Sequence, residues 1–170
     1  TLLKAWGIQY DPTQVVGDLA LATRVQSGNG VASYPIWLSL TAADFNAKSL
    51  PTAQLNSLLF VEAGSVSLAP GSSLTFTPLV QTTSQAGTLP AATLQFAQPD
   101  AIARQLTTSG QKTLAALFTG KFPSAFPDGA PDDQPADAAA NKDAKPEAKD
   151  AKAAPAKPAH LTASKTTSTL

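Results

Sequence analysis

The sequence predicts an α+β or α/β fragment, in which a strand-dominated mixed sheet carries two or three short helices and is followed by a disordered Ala/Lys/Pro tail. Apolar residues recur at strand spacing through most of Thr1 to Asp128, and few segments have helix boundaries. From Pro131 to Pro158 there is no Val, Ile, Leu, Phe, Tyr or Trp, so this stretch has little apolar area to bury. We therefore place a mixed domain at 1–129 and a low-complexity linker or tail at 130–170.

Several segments carry the pattern of β-strands. Ile36, Leu38 and Leu40 share one face of an alternating run, which predicts a half-buried strand. Leu58 to Val61 is continuously apolar, which is typical of a strand buried on both faces. Further strands are predicted around Leu19 to Leu21, Leu74 to Phe76, Leu94 to Phe96 and Leu114 to Phe118.

Turn and capping residues divide these segments. The Asn-Gly step within Ser27 to Gly30 predicts a hairpin between the flanking strands. Thr41 to Asp44 resembles a capping box, and Pro99 to Leu106 has the proline, acid and apolar spacing of a short helix. Lys4 and Gly7 are typical of the end of a helix. Because the chain opens on a helix that is already ending, we interpret it as an excised piece of a longer protein.

The composition argues against most catalytic chemistry. There is no cysteine, and the single histidine, His160, lies in the predicted tail. A cysteine nucleophile is therefore excluded, a Ser–His–Asp triad has no histidine in the folded part, and zinc loses its two favoured ligand types. No phosphate-binding glycine motif and no calcium-type acidic loop occurs. We predict no catalytic residue, no metal site and no cofactor, and the chain is not expected to be an enzyme.

The charge distribution argues against two classes of partner. Lys plus Arg equals Asp plus Glu at 12 each, and no block of one sign is present. Nucleic-acid binding and adsorption to phospholipid both call for clustered basic residues, so neither is expected. The longest apolar stretches are far shorter than a membrane span, and we expect this segment to be soluble.

Paired carboxylates are the one catalytic device that the composition leaves open. The acids of the folded part are Asp11, Asp18, Asp44, Glu62, Asp100 and Asp128. Glycoside hydrolysis needs two of them to converge in a cleft. Asp11 and Asp128 are interpreted as turn residues, and Asp44 and Asp100 as acids of a first helical turn. Glu62 and Asp18 are interpreted as solvated strand positions, so no pair is predicted.

Four aromatic residues could form a binding surface: Tyr34, Trp37, Phe122 and Phe126. The Tyr34-Pro35-Ile36-Trp37 segment would suit a carbohydrate-binding platform. Aromatic rings in alternating apolar strands are more often part of a core, because each ring buries a large area. We favour the core interpretation for Tyr34 and Trp37. Residues 121–129, with Phe122 and Phe126, are interpreted as the exit from the last strand into a proline-fixed turn, and no binding residue is assigned.

Five segments, in order, resemble one protein family: LLKAWGI at 2–8, VVGD at 15–18, YPIWL at 34–38, FTPLVQTT at 76–83 and LAALFTGKFPSAF at 114–126. Together they resemble the auxiliary component of an uncharacterised ABC-type transport system, the GldG-like family associated with gliding motility. The resemblance covers 1–129 and implies a later portion of an extracytoplasmic or periplasmic α/β region in a membrane-anchored bacterial protein.

The resemblance implies a function in binding rather than catalysis. Its expected partners are the permease or ATPase subunits of the transporter, and its expected role is binding a partner protein or a transported substrate. The family supplies no catalytic residues that can be carried over to this chain. Two alternatives from the residues stay open, a carboxylate-dependent cell-wall hydrolase and a carbohydrate-binding module.

Overall fold

A computed structural model describes residues 2–28, 30–95, 97–124, 126 and 161–170. Within them the chain forms ten strands, two short α-helices and two 3₁₀ turns. The helices are α1 (Leu2–Ala5) and α2 (Pro99–Gln105), and the 3₁₀ turns span Ala42–Asp44 and Ala91–Gln95. The strands are β1 (Ile8–Tyr10), β2 (Gln14–Asp18), β3 (Ala22–Ser27), β4 (Gly30–Thr41), β5 (Ser57–Val61), β6 (Val66–Leu68), β7 (Thr75–Gln81), β8 (Ala86–Pro90), β9 (Thr113–Gly120) and β10 (Ser168–Thr169).

The strands pair in four small sheets rather than in one. The sheet orders are β1-β6, β2-β8, β3-β4-β5 and β10-β9-β7. Every strand pair among the described residues is antiparallel. The predicted strand-dominated fold with two or three short helices is confirmed, although parallel pairing, which a mixed sheet would include, is not found in the part described.

Strand β4 carries the centre of the fold. Ile36 and Leu38 are fully buried and Leu40 is nearly so, which confirms the predicted buried face. Leu38 and Leu40 pack in a cluster with residues of β2, β7 and β9, whereas Ile36 packs with Ile102 of α2 and residues of β2 and β8. One strand therefore contributes to two of the apolar clusters.

Local signals in the sequence fix the turns around β4. Ser27 pairs with Gly30, so β3 and β4 form the predicted hairpin, and Gly28 has a φ of 57°, which glycine adopts without strain. At the other end of β4, the Asp44 carboxylate accepts hydrogen bonds from the Thr41 N–H and hydroxyl, at 2.8 and 3.0 Å. These bonds confirm the capping pattern and begin the 3₁₀ turn.

Three predicted strand segments differ from the structure. Leu58 to Val61 forms β5 but is not buried on both faces, since Leu58, Leu59 and Val61 are 41%, 51% and 50% exposed; among the described residues β5 lies at the edge of its sheet. Leu19 to Leu21 is a bend, since the N–H groups of residues 20 and 21 turn toward the Asp18 carboxylate. Leu94 lies in a 3₁₀ turn that connects β8 to α2, and Phe96 lies outside the described residues.

The end of the chain returns to the body. Residues 130–160 of the predicted linker or tail lie outside the described residues, whereas 161–170 do not. Phe118 of β9 and Leu170 exchange two backbone hydrogen bonds of 2.9 Å, and the Phe122 N–H donates to the Ser164 hydroxyl at 3.1 Å. Strand β9 therefore lies between β7 and β10.

Candidate functional site

Asp18 is fully buried, which corrects its interpretation as a solvated strand residue. One carboxylate oxygen accepts the N–H groups of Ala20 and Leu21, at 2.8 and 3.2 Å. The other accepts the N–H and hydroxyl of Thr83, both at 2.7 Å. These four bonds tie the β2–β3 bend to the loop after β7, and they occupy the lone pairs that a catalytic carboxylate would use.

Three other acids occupy local structural positions. Asp11 accepts bonds from the Thr13 N–H at 2.8 Å and the Thr13 hydroxyl at 2.6 Å, and these bonds lower the pKa of this exposed carboxyl. Asp44 caps its 3₁₀ turn, and Asp100 lies in the first turn of α2. The turn and first-turn interpretations of these three acids are confirmed.

Among the described residues, neither of the two clefts described next brings two acids together, as hydrolysis would need. Glu62 is exposed, as predicted, and has a φ of 53° just after β5, and Asp128 lies outside the described residues. Two clefts, of about 430 and 520 Å³, contain one acid each, Asp44 in the first and Asp11 in the second. In the part of the chain that the structure describes, no group of three or more potential metal-binding side chains occurs.

Tyr34 and Trp37 do not form a flat platform. Both rings are half-buried against the Ile36 cluster, their centroids are 5.4 Å apart, and their planes meet at 66°. Burial, and to a smaller extent the charge of Glu62, raises the pKa of the Tyr34 phenol. Sugar-binding platforms need faces that a ring can stack on, so this edge-to-face pair does not support the carbohydrate-binding alternative.

The other two aromatic candidates lie near the end of β9. Phe122 packs edge-on against Trp6 at 4.9 Å, and the Trp6 indole N–H donates to the carbonyl of Pro123 at 2.9 Å. Phe126 is half-exposed beside Leu161 in a shallow apolar groove. Both residues follow the last residue of β9, as predicted; Phe122 packs against the body, whereas Phe126 is a surface residue.

The 430 Å³ cleft is lined mainly by polar side chains that the fold itself uses. The Asn46 amide donates to the Pro78 carbonyl at 2.9 Å, and the Gln111 amide donates to the Thr82 carbonyl at 2.8 Å. The Asp44 carboxylate is occupied by its cap, and the Gln81 amide makes only long contacts of 3.5 Å. The polar groups of this cleft therefore mainly hold its loops together and are not arranged to bind a ligand.

A surface that the sequence analysis missed lies along β5 and the segment before it. Five large apolar side chains are exposed there, and we call this set the apolar edge: Leu50 (92%), Leu55 (37%), Leu58 (41%), Leu59 (51%) and Val61 (50%). Leu59 and Val61 lie two residues apart on one face of β5, and neighbouring exposed apolar side chains mark interaction surfaces more often than isolated ones do. The run of apolar residues was visible in the sequence, but nothing there showed that only one neighbouring strand covers it.

Comparison with known proteins confirms the coarser part of the resemblance seen in the sequence, the auxiliary component of an ABC-type transport system. The model of the family described as ABC-type uncharacterized transport system, auxiliary component, matches residues 1–160. No curated protein and no solved structure matches significantly. Among the described residues, the helices are all too short or too polar to cross a membrane. Since the family model covers most of the chain, this protein belongs to the family of auxiliary components of uncharacterised ABC-type transport systems.

Proposed function

We propose that this chain is a non-catalytic, extracytoplasmic module of a GldG-like auxiliary protein, and that it acts by binding a partner protein of the transport system. Membership in the family supports an association with the permease and ATPase subunits. The GldG link and the extracytoplasmic location rest on the ordered sequence motifs described above.

The apolar edge is the observation that carries this proposal. Leu50 is almost fully solvent-accessible, and Leu59 and Val61 are half-exposed on β5, which follows it in the chain. A large apolar side chain gains roughly 1.5–3 kcal/mol on full burial, so a protein that covers several of them gains a substantial free energy. A small polar substrate would gain nothing from these side chains.

The carboxylates support a binding role over hydrolysis. Asp11, Asp18 and Asp44 each accept at least two hydrogen bonds from their own turns or caps. A general acid or base must instead present its carboxyl to a substrate within hydrogen-bond reach. The polar cleft supports transport-substrate binding less well than the apolar edge supports protein binding, because its amides already donate to backbone carbonyls.

The test is co-purification of the full-length parent protein with its permease and ATPase from detergent extracts. The double variant Leu50→Lys/Leu55→Lys is expected to reduce recovery of the permease several-fold, because two charges would enter the contact. Val31→Lys is the matched control, since Val31 is 61% exposed on β4 but lies outside the apolar edge.

Two results would contradict the proposal. One is equal recovery of the permease with the double variant and with the control. The other is a parent protein that recovers neither subunit, combined with resistance of this segment to protease added to the outside of spheroplasts.

A further inference from the structure

Strand β5 has a free edge among the described residues. Glu62 donates its N–H to the Ile36 carbonyl at 3.0 Å, and the ladder continues with Phe60 opposite Leu38. Hydrogen bonding alternates along an antiparallel ladder, so Leu58 and Phe60 direct their N–H and C=O groups at β4. The backbone groups of the other three residues, Ser57, Leu59 and Val61, therefore point away from the sheet.

This edge lacks the features that usually keep edge strands apart. Between Ser57 and Val61 there is no charged residue and no proline, and the pairing with β4 runs without a shift in register. Soluble proteins commonly protect such edges with lysine, proline, a bulge or a covering element. An unprotected edge of this kind is suited to pairing with another strand.

The sequence of β5 is compatible with pairing to itself. In an antiparallel arrangement centred on Leu59, this residue lies opposite Leu59 of a second copy, and Ser57 lies opposite the second copy's Val61. All the outward backbone groups then meet partners, which gives about six hydrogen bonds. Leu58 would contact Phe60 of the second copy on the opposite face of the joined sheet.

Charge is also compatible with this register. Glu62, which follows the strand directly in the sequence, would lie opposite Asn56 of the second copy, whose amide can donate to a carboxylate. No two like charges are brought together by the pairing. In a two-fold arrangement the same residues and charges of β5 face each other from the two copies, so that one surface is complementary to itself. A strand from an unrelated partner would not have this match in residues and charge.

We propose that β5 pairs antiparallel with β5 of a second copy of this chain, centred on Leu59, so that two β3-β4-β5 sheets become one continuous sheet. This pairing rests on the proposed function, because it uses part of the apolar edge. The backbone edge at Leu59 binds the second copy, and Leu50 and Leu55 are left to contact other subunits.

The absence of cysteine from the chain permits a direct test. In Leu59→Cys the two thiols would lie at a hydrogen-bonded pair with Cα atoms about 5.5 Å apart, within the roughly 4.4–6.8 Å that disulfides span. Mild oxidation is expected to yield a disulfide-linked dimer at least ten-fold faster than for Val31→Cys, the matched control on β4. Equal rates for the two variants would overturn the proposal.

Sedimentation equilibrium of the unmodified full chain gives a second readout. We expect a reversible monomer–dimer equilibrium, a dissociation constant at least ten-fold weaker for Leu59→Lys, and little change for Val31→Lys. A monomer at millimolar concentration, or open-ended association without a dimer, would contradict the two-fold pairing. Because this measurement uses the chain alone, a monomer whose parent still co-purifies with the permease rejects the pairing and leaves the proposed function standing.

Discussion

Strands β4 and β5 are neighbours with similar apolar content and opposite burial. In β4, Ile36, Leu38 and Leu40 are buried to within about 1% exposure, whereas in β5 Leu59 and Val61 are half-exposed. The difference arises because Ile36, Leu38 and Leu40 pack into apolar clusters, whereas Leu59 and Val61 belong to no cluster of the described residues. Apolar character therefore made both segments strands, but packing against other elements decided which one became core and which one became surface.

The largest expected effect is a difference in stability between two leucine-to-alanine variants, one in β4 and one in β5. Leu38→Ala leaves a cavity in the fully buried cluster and should lower the free energy of unfolding by about 2–5 kcal/mol. Leu59→Ala removes a half-exposed side chain and should cost less than about 1 kcal/mol in dilute solution. Urea titration monitored by circular dichroism measures both. Similar losses for the two variants would mean that β5 is covered.

A smaller effect is expected when a buried aspartate, Asp18, and an exposed one, Asp11, are each replaced by alanine. Asp18→Ala removes a fully buried carboxylate and leaves the N–H groups of Ala20, Leu21 and Thr83 without their acceptor, which should lower the free energy of unfolding by at least about 2 kcal/mol. Asp11→Ala removes a fully exposed carboxyl from its turn and should leave the urea midpoint nearly unchanged. If Asp18→Ala lowered the stability as little as Asp11→Ala, the hydrogen bonds of the buried carboxylate would not stabilise the two loops.

The pH dependence of Tyr34 links the two strands, since Tyr34 lies on β4 and Glu62 follows β5. Burial and the Glu62 charge raise the pKa of Tyr34 above the ordinary value of 10.0, so the unfolded chain loses its phenolic proton first. The stability from this group is therefore complete below pH 10.0 and declines as the pH rises through the folded pKa.

The measurement is an ultraviolet absorbance titration of the phenolate, with Tyr34→Phe used to assign the transition. Glu62→Gln should lower the pKa of Tyr34, but by less than burial raises it, because burial is the larger cause. A pKa unchanged by Glu62→Gln would mean that the charge after β5 does not reach the ring on β4.

Local signals in the sequence predicted much of the fold. The hairpin between Ser27 and Gly30, the Thr41–Asp44 cap and the Pro99 helix start each depend on residues only a few positions apart, and all three features are found. The alternation of Ile36, Leu38 and Leu40 likewise predicted the buried face of β4. These features are readable because the residues that cause them are neighbours in the chain.

Contacts between residues far apart in the chain could not be predicted in the same way. The role of Asp18 depends on Thr83, which is 65 positions away, although the Asx-type bend formed with residues 20 and 21 was a local signal for part of it. The exposure of β5 depends on which elements pack beside it; among the described residues no strand pairs with its outer edge, and no residue within Leu58 to Val61 encodes that. The candidate surface was therefore missed even though its residues were correctly predicted to form a strand.

Residue-resolved amide hydrogen exchange in β5 tests the central claim, a free apolar strand edge used for binding, most directly. In dilute solution the amides of Leu58 and Phe60, which donate to β4, should exchange slowly, whereas those of Leu59 and Val61 should exchange fast. Protection of Leu59 and Val61 should then appear as the concentration of the chain rises. Slow exchange of all four amides in a dilute monomer would contradict the account, because the edge would already be covered within a single chain.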